Sequence, residues 1–222
     1  MSLQTIINNA TYLNVKQQQL AGQSISRSGR ILTATIASAQ PYRFEIGMHE
    51  GLTYSTNRAL LQSIDNLDIT TEETVNFGTS NTGLSYITAY GGGMDNTQIG
   101  QVTVTSATAG NIVLNTTAVS GTTPANAFAK GDFIQLDNSY RYPYQVKEDV
   151  AWNGTSVTVP INRNFIPQDS YTVSGKGILT GVSCTWSVKM FKKPSYTIVP
   201  HDRIQFSNGK FEVVEIIRKE DG

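Results

Sequence analysis

The chain has 222 residues, 39% of them hydrophobic, enough for one large β domain or for a core domain carrying a smaller one. Lysine plus arginine equals aspartate plus glutamate at 17 each, and only 15% of residues are charged, against roughly 25% in an average globular domain. Net neutrality argues against a nucleic-acid binder held by phosphate contacts, and the single cysteine, Cys184, excludes an internal disulfide framework.

Residues 1–28 are polar, with three glutamines at Gln17 to Gln19 and a Ser-Gly cluster closing at Arg30. They read as an extended N-terminal arm with one short strand around Thr11 to Lys16. The segment lacks a basic stretch followed by an apolar one, and no part of the chain approaches the ~20 apolar residues of a membrane helix. No membrane contact is expected, and synthesis in a cytosol follows. The sequons at Asn9, Asn115 and Asn153 then carry little meaning.

Next, Ile31 to Ile36 is rich in β-branched residues and reads as a strand that Pro41 terminates. Tyr42, Phe44, Ile46 and Met48 alternate with Arg43, Glu45 and Gly47, a half-buried strand. Tyr54 to Asp68 carries the one helical period. Ser55 or Thr56 can supply the cap oxygen, and Leu60, Leu61, Ile64 and Leu67 recur at spacings of three and four. A narrow apolar stripe of this kind needs a sheet to lie on. The expected partners are strands from Tyr42 to Met48 and from Val182 to Ile217.

Thr74 to Phe77 and Leu84 to Tyr90 read as two further strands. From Gly91 the composition turns to glycine, threonine, alanine and serine, with weak alternation in QVTVTSA and NIVLNTT that suggests a hairpin. Strong strand signals return between Gly131 and Val173. Gly175 and Gly177 mark an exit, so residues 97–175 read as an inserted β module. The last stretch alternates almost throughout, giving strands at Val182 to Phe191, Tyr196 to Val199, Arg203 to Phe206 and Phe211 to Ile217. Cys184 falls in step with its apolar neighbours, as a buried small hydrophobe would. Asn208-Gly209 is a strong hairpin signal and predicts pairing of the last two strands. An internal echo links Asp132 to Asn138 with Asp202 to Asn208; an aromatic, a valine and a glutamate follow each, at Tyr144, Val146 and Glu148 and at Phe211, Val213 and Glu215. Two copies are too few for a solenoid.

Catalytic patterns are weak. His49 and His201 have no partners at metal-ligand spacing. Gly91-Gly92-Gly93 lacks the lysine of a phosphate-cradling loop. The carboxylates of Glu72-Glu73 and Glu148-Asp149 are adjacent and would point to opposite faces of a strand. Lys189, Lys192 and Lys193 read first as a solvated strand end. No enzymatic activity, metal or cofactor is expected.

The segments QSISRSGRILTATIASAQPYRF, YSTNRALLQSIDNLD, GLSYITAYGGGM, AKGDFIQLDNSYRYPYQVKEDV and PSYTIVPHDRIQFSNGKFEVVEII together resemble virion structural proteins of tailed bacteriophages, especially small tail and baseplate components of contractile-tailed phages. The resemblance spans nearly the whole chain and rests on motif order. It implies a mainly β fold: a tail-tube-like β-sandwich with one flanking α-helix at about 55–68 and an inserted small β module. The core would comprise residues 29–96 plus 176–222, with Leu60, Leu61, Ile64, Leu67, Phe44, Trp186 and Phe211 inside it. Part of the region from Arg27 to Met48 would supply the long hairpin that completes a ring, with Arg27, Arg30, Tyr140 and Tyr142 at the interface. The implied setting is a virion tail, as a cyclic homo-oligomer beside other tail or baseplate proteins, in passive contact with DNA in a tail lumen.

The alternative reading is a receptor- or carbohydrate-binding module, or a capsid decoration module, of a phage particle. Tyr140, Tyr142, Tyr144 and Trp152 motivate it if exposed, since stacking faces suit sugars. The spacing of two in the tyrosines equally fits the inward face of a strand.

Overall fold

The computed structural model describes residues 3–17, 21–25, 31–35, 41–48, 51–78, 84–137, 141–166, 169, 174–207 and 210–217, with 21–25 and 31–35 described by their backbone alone. The fold is mainly β, with several antiparallel sheets and, among the described residues, three α-helices where the sequence predicted one. The helices are α1 (Leu3–Ile7), α2 (Tyr54–Asp65) and α3 (Asn96–Gln101). The first strands are β1 (Ala10–Gln17), β2 (Ala21–Ile25), β3 (Ile31–Thr35), β4 (Tyr42–Met48) and β5 (Glu73–Val75). The middle of the chain forms β6 (Thr103–Ala107), β7 (Asn111–Asn115), β8 (Asn126–Phe128), β9 (Phe133–Leu136), β10 (Tyr144–Gln145), β11 (Val150–Ala151), β12 (Ser156–Pro160) and β13 (Ile178–Thr180). The last strands are β14 (Trp186–Met190), β15 (Ser195–Val199), β16 (Arg203–Ser207) and β17 (Lys210–Glu215).

A five-stranded antiparallel sheet, in the order β1-β4-β17-β14-β5, carries the first hydrophobic core. Alternation sets its inner face: Tyr42, Phe44, Ile46 and Met48 from β4, Phe211 and Val213 from β17, and Trp186, Val188 and Met190 from β14 are all buried. Phe44, Phe77 and Trp186 meet at ring-centroid distances of 4.6 to 5.6 Å. Leu60, Leu61 and Ile64 of α2 belong to this core, as does Leu67 just beyond the helix. Tyr12 follows a bulge in β1 and sits opposite Gly47, where a Cβ would come within 2.9 Å of the Tyr12 Cβ. Only glycine fits that approach.

The described part of residues 1–28 is not an extended arm. Leu3, Ile6 and Ile7 are buried in the first core and β1 pairs with β4, because the apolar residues of LQTII fall on one side of a short helix. Helix α2 ends three residues before the expected limit. Asn66 closes it, and Asp68 accepts hydrogen bonds from the Thr70 amide (2.8 Å) and the hydroxyls of Thr70 and Thr71, which turns the chain. Its cap also comes from elsewhere. Thr53 occupies the cap position without a side-chain bond to a helix amide, while Asp202 accepts from the Ser55 amide at 2.9 Å and its carbonyl accepts from the Tyr54 amide at 3.0 Å. His201 and Asp202 hold left-handed φ values of 66° and 59°, the bend that brings this carboxylate to the helix.

Three other expectations fail. Leu84–Thr88 is a 3-10 helix, with bonds such as Ala89 N to Tyr86 O at 3.2 Å in place of a partner strand. Gly181–Ser183 is a 3-10 turn, so the strand expected from Val182 begins at Trp186. The last two strands do not pair: β16 pairs with β15 across the Pro200–Asp202 bend, and β17 lies between β4 and β14. Burial decides it, because Phe211 and Val213 face the core only from the centre of the large sheet.

The second core draws on residues between Met94 and Ile178. Strand β9 stands between the two. Phe133 belongs to the first core and touches Trp186 at a centroid distance of 5.4 Å, while Ile134 and Leu136 belong to the second. Gln135, on the Phe133 side, accepts from the Thr185 amide at 2.8 Å. The period of two along a fully buried strand thus serves both cores.

Candidate assembly surface

The two edges of the five-stranded sheet differ. Strand β5 has three residues and its end is closed by α1, whose Gln4 side chain accepts from the Asn76 amide (2.7 Å) and donates to the Asn76 carbonyl (2.9 Å). Glu73 also accepts from the Leu3 amide at 2.6 Å. Strand β1 has eight residues and, among the described residues, pairs with β4 alone. The 3-10 helix Leu84–Thr88 approaches β1 without joining the ladder. One edge is short and plugged; the other is long and open.

Strands β1 and β4 also lead into a second ladder. Beyond the pair Gln17 and Tyr42, β2 and β3 pair from Ala21 with Thr35 to Ile25 with Ile31, and with no third strand among the described residues. A lone two-stranded ribbon is marginal in water. Arg27, Arg30 and Tyr140, expected at an interface, lie outside the described residues. Tyr142 is 2% exposed inside the second core and so is not an interface residue. Tyr144 is also buried, donating to Asp169 at 2.8 Å and accepting from the Ile166 amide at 3.1 Å; its phenol is pushed up by burial. For Tyr142 and Tyr144 the inward alternative is the one observed, because YPY continues the buried period of β10.

The outer face of the large sheet carries two clusters of opposite charges. Glu45 lies 2.6 Å from both Lys16 and Lys210, and Arg43 lies 3.2 Å from Glu212. Hydrogen bonds from Lys16 and Lys210 hold the Glu45 carboxyl down at about 2. Beside this cluster Phe191, Lys192 and Lys193 border a groove of about 280 Å³. Phe191 is 68% exposed, whereas Lys193 donates to the Asp65 carbonyl at the end of α2 at 2.7 Å, where a cation is favoured.

Other singled-out residues have structural partners. Asp132 accepts from the amides of Gly91 (2.7 Å), Gly92 (3.1 Å) and Ala129 (2.9 Å), which pins the triple-glycine turn. Asp202 does the same for α2, so the repeated aspartates share a role even though the strands after them pair differently. Cys184 is fully buried near the Phe133 and Leu179 carbonyls, and burial pushes its thiol up. His201 is exposed at its bend; His49 lies outside the described residues. Among the described residues no group of three histidine, cysteine or acidic side chains could hold a metal, and no helix is long and apolar enough to cross a membrane.

The sequence reading named Glu215 only within the internal echo and missed Arg163 and their pairing. Arg163 donates to Glu215 at 2.5 and 2.9 Å and to the Pro143 carbonyl at 2.7 Å, between the rings of Tyr42 and Tyr144. Each is a charge in register with buried apolar residues, between Ile161 and Phe165 and after Phe211 and Val213. That register was the available signal. No protein-family model matches the chain, and no curated protein matches it.

Proposed function

We propose that the chain is a non-enzymatic structural component of a bacteriophage tail, at the tube end or the baseplate, built on a tail-tube-like β-sandwich and acting by ring assembly. The observation that carries this reading is the pairing of a solitary β2–β3 ribbon with the open edge of β1 on one molecule. Among the described residues neither has a further strand beside it, a neighbouring copy would supply one, and a heterologous contact that closes gives a cyclic oligomer. Blocking of the β5 edge limits such growth to one side of the sheet. Its partners are further copies of itself and other tail or baseplate proteins, and it resides in the virion tail.

Negative-stain imaging of the purified chain tests this reading. Closed rings of uniform diameter are expected. Dispersed monomeric particles at every concentration, or absence of the protein from intact tails, would remove it.

A further inference from the structure

The second core carries a groove of about 470 Å³ between β11 and β12, lined by Glu148, Asp149, Trp152, Asn153, Ser156 and Thr158. Its geometry comes from a hairpin whose arms part. Val146 bridges to Ile161 and the Lys147 amide donates to the Pro160 carbonyl at 2.9 Å, closing one end, and the turn through Asn153 and Gly154 closes the other. Between these points the arms pair elsewhere, β11 with β8 and β12 with β7.

The Pro160 carbonyl therefore points away from β7. Ladder directions alternate along a strand, so Ser156 and Thr158 turn their amides and carbonyls into the groove beside their exposed hydroxyls. Trp152 is half-buried against the second core, and its amide is tied to the Ala125 carbonyl at 3.1 Å. The result is an aromatic side chain packed on the core next to a row of donors and acceptors, in an open trough. Two carboxylates and no lysine or arginine line it.

We propose that this groove binds a neutral oligosaccharide, with the apolar face of one sugar on Trp152 and hydroxyls on Thr158, Ser156 and Glu148. The chemistry excludes anionic sugars, which the carboxylates of Glu148 and Asp149 would repel. An extended peptide fits less well: Pro160 has no amide and its carbonyl is taken, so two residues of the β12 edge remain for a ladder. This binding does not depend on ring assembly.

Trp152 is one of two tryptophans, and the other, Trp186, is 1% exposed, so ligand-induced changes in tryptophan emission report on the groove. The test titrates the full chain with neutral hexasaccharides of glucose, mannose, galactose and N-acetylglucosamine, with oligogalacturonate as the anionic control and a threonine hexapeptide as the extended-chain control. At least one neutral hexasaccharide should give a saturable change with a Kd of about 1 mM or tighter. Calorimetry on Trp152→Ala and Thr158→Lys, both with unchanged melting temperature, should show affinity lowered at least about tenfold. No response to any neutral hexasaccharide, equal binding of oligogalacturonate, preference for the peptide, or undiminished binding by both folded variants would overturn the proposal.

Discussion

Arg163 and Glu215 form a fully buried ion pair that joins the two halves of the molecule, with side chains 1% and 0% exposed and 2.5 Å between Nη1 and Oε2. Glu215 belongs to the central strand of the large sheet and also accepts from the Tyr42 amide at 2.9 Å. Arg163 follows β12 and reaches the Pro143 carbonyl at 2.7 Å. Breaking a buried pair strands one charge and costs about 3–5 kcal/mol, whereas replacing both partners by apolar groups recovers much of that loss. Urea unfolding should show Arg163→Met and Glu215→Leu strongly destabilised and Arg163→Met/Glu215→Leu less so than the sum. Strict additivity would separate the two side chains energetically.

Ile64 tests the placement of α2. It is 1% exposed and belongs to the first core, to which β4, β14 and β17 also contribute, and α1 packs against its helix. Ile64→Asp places an unpaired charge there and should cost about 4 kcal/mol or more. Gln62→Asp, on the exposed side of the same helix, should leave the melting temperature nearly unchanged. Equal melting of Ile64→Asp and the native chain would make the helix peripheral.

Acid should weaken the outer face of the sheet in a defined window. Glu45 is depressed from an ordinary value of 4.5 to about 2 by the hydrogen bonds from Lys16 and Lys210. A depressed carboxyl contributes stability above its unfolded value and loses it as pH falls through the folded one. Thermal melting should therefore fall between pH 4.5 and about 2, with a shallower slope in Glu45→Gln. The exposed Lys16 and Lys210 ammoniums make the contribution sensitive to salt. Asp68, also held at about 2 chiefly by the Thr70 hydroxyl, adds to the same window, so Glu45→Gln/Asp68→Asn should flatten the profile further.

Local patterns were legible where one period met one burial requirement. The apolar period of α2 and the alternation of β4 are of this kind, since each element buries a single face. Helix α3 is too short for a period, but Asp95 and Gln98 form a reciprocal capping box that the sequence spells out. Asn208-Gly209 misled because β17 pairs with β4 and β14, where Phe211 and Val213 are buried, and not with β16. Tertiary pairing overrides turn chemistry there. Tyr142 could not be placed on one side of its strand from spacing alone, since a period of two is the same read from either face. The trans-cap by Asp202 and the pairing of Arg163 with Glu215 join segments far apart in sequence, where no local rule reaches.

The assembly reading rests on the β2–β3 ribbon, so replacing residues 21–35 by a short Gly-Ser turn tests it most directly. Light scattering after size-exclusion chromatography should give one closed oligomer for the full chain. The shortened chain should be a monomer with an unchanged melting temperature, since β2 and β3 pair only with each other among the described residues. A monomeric full chain, or the same oligomer after removal of the ribbon, would contradict the account.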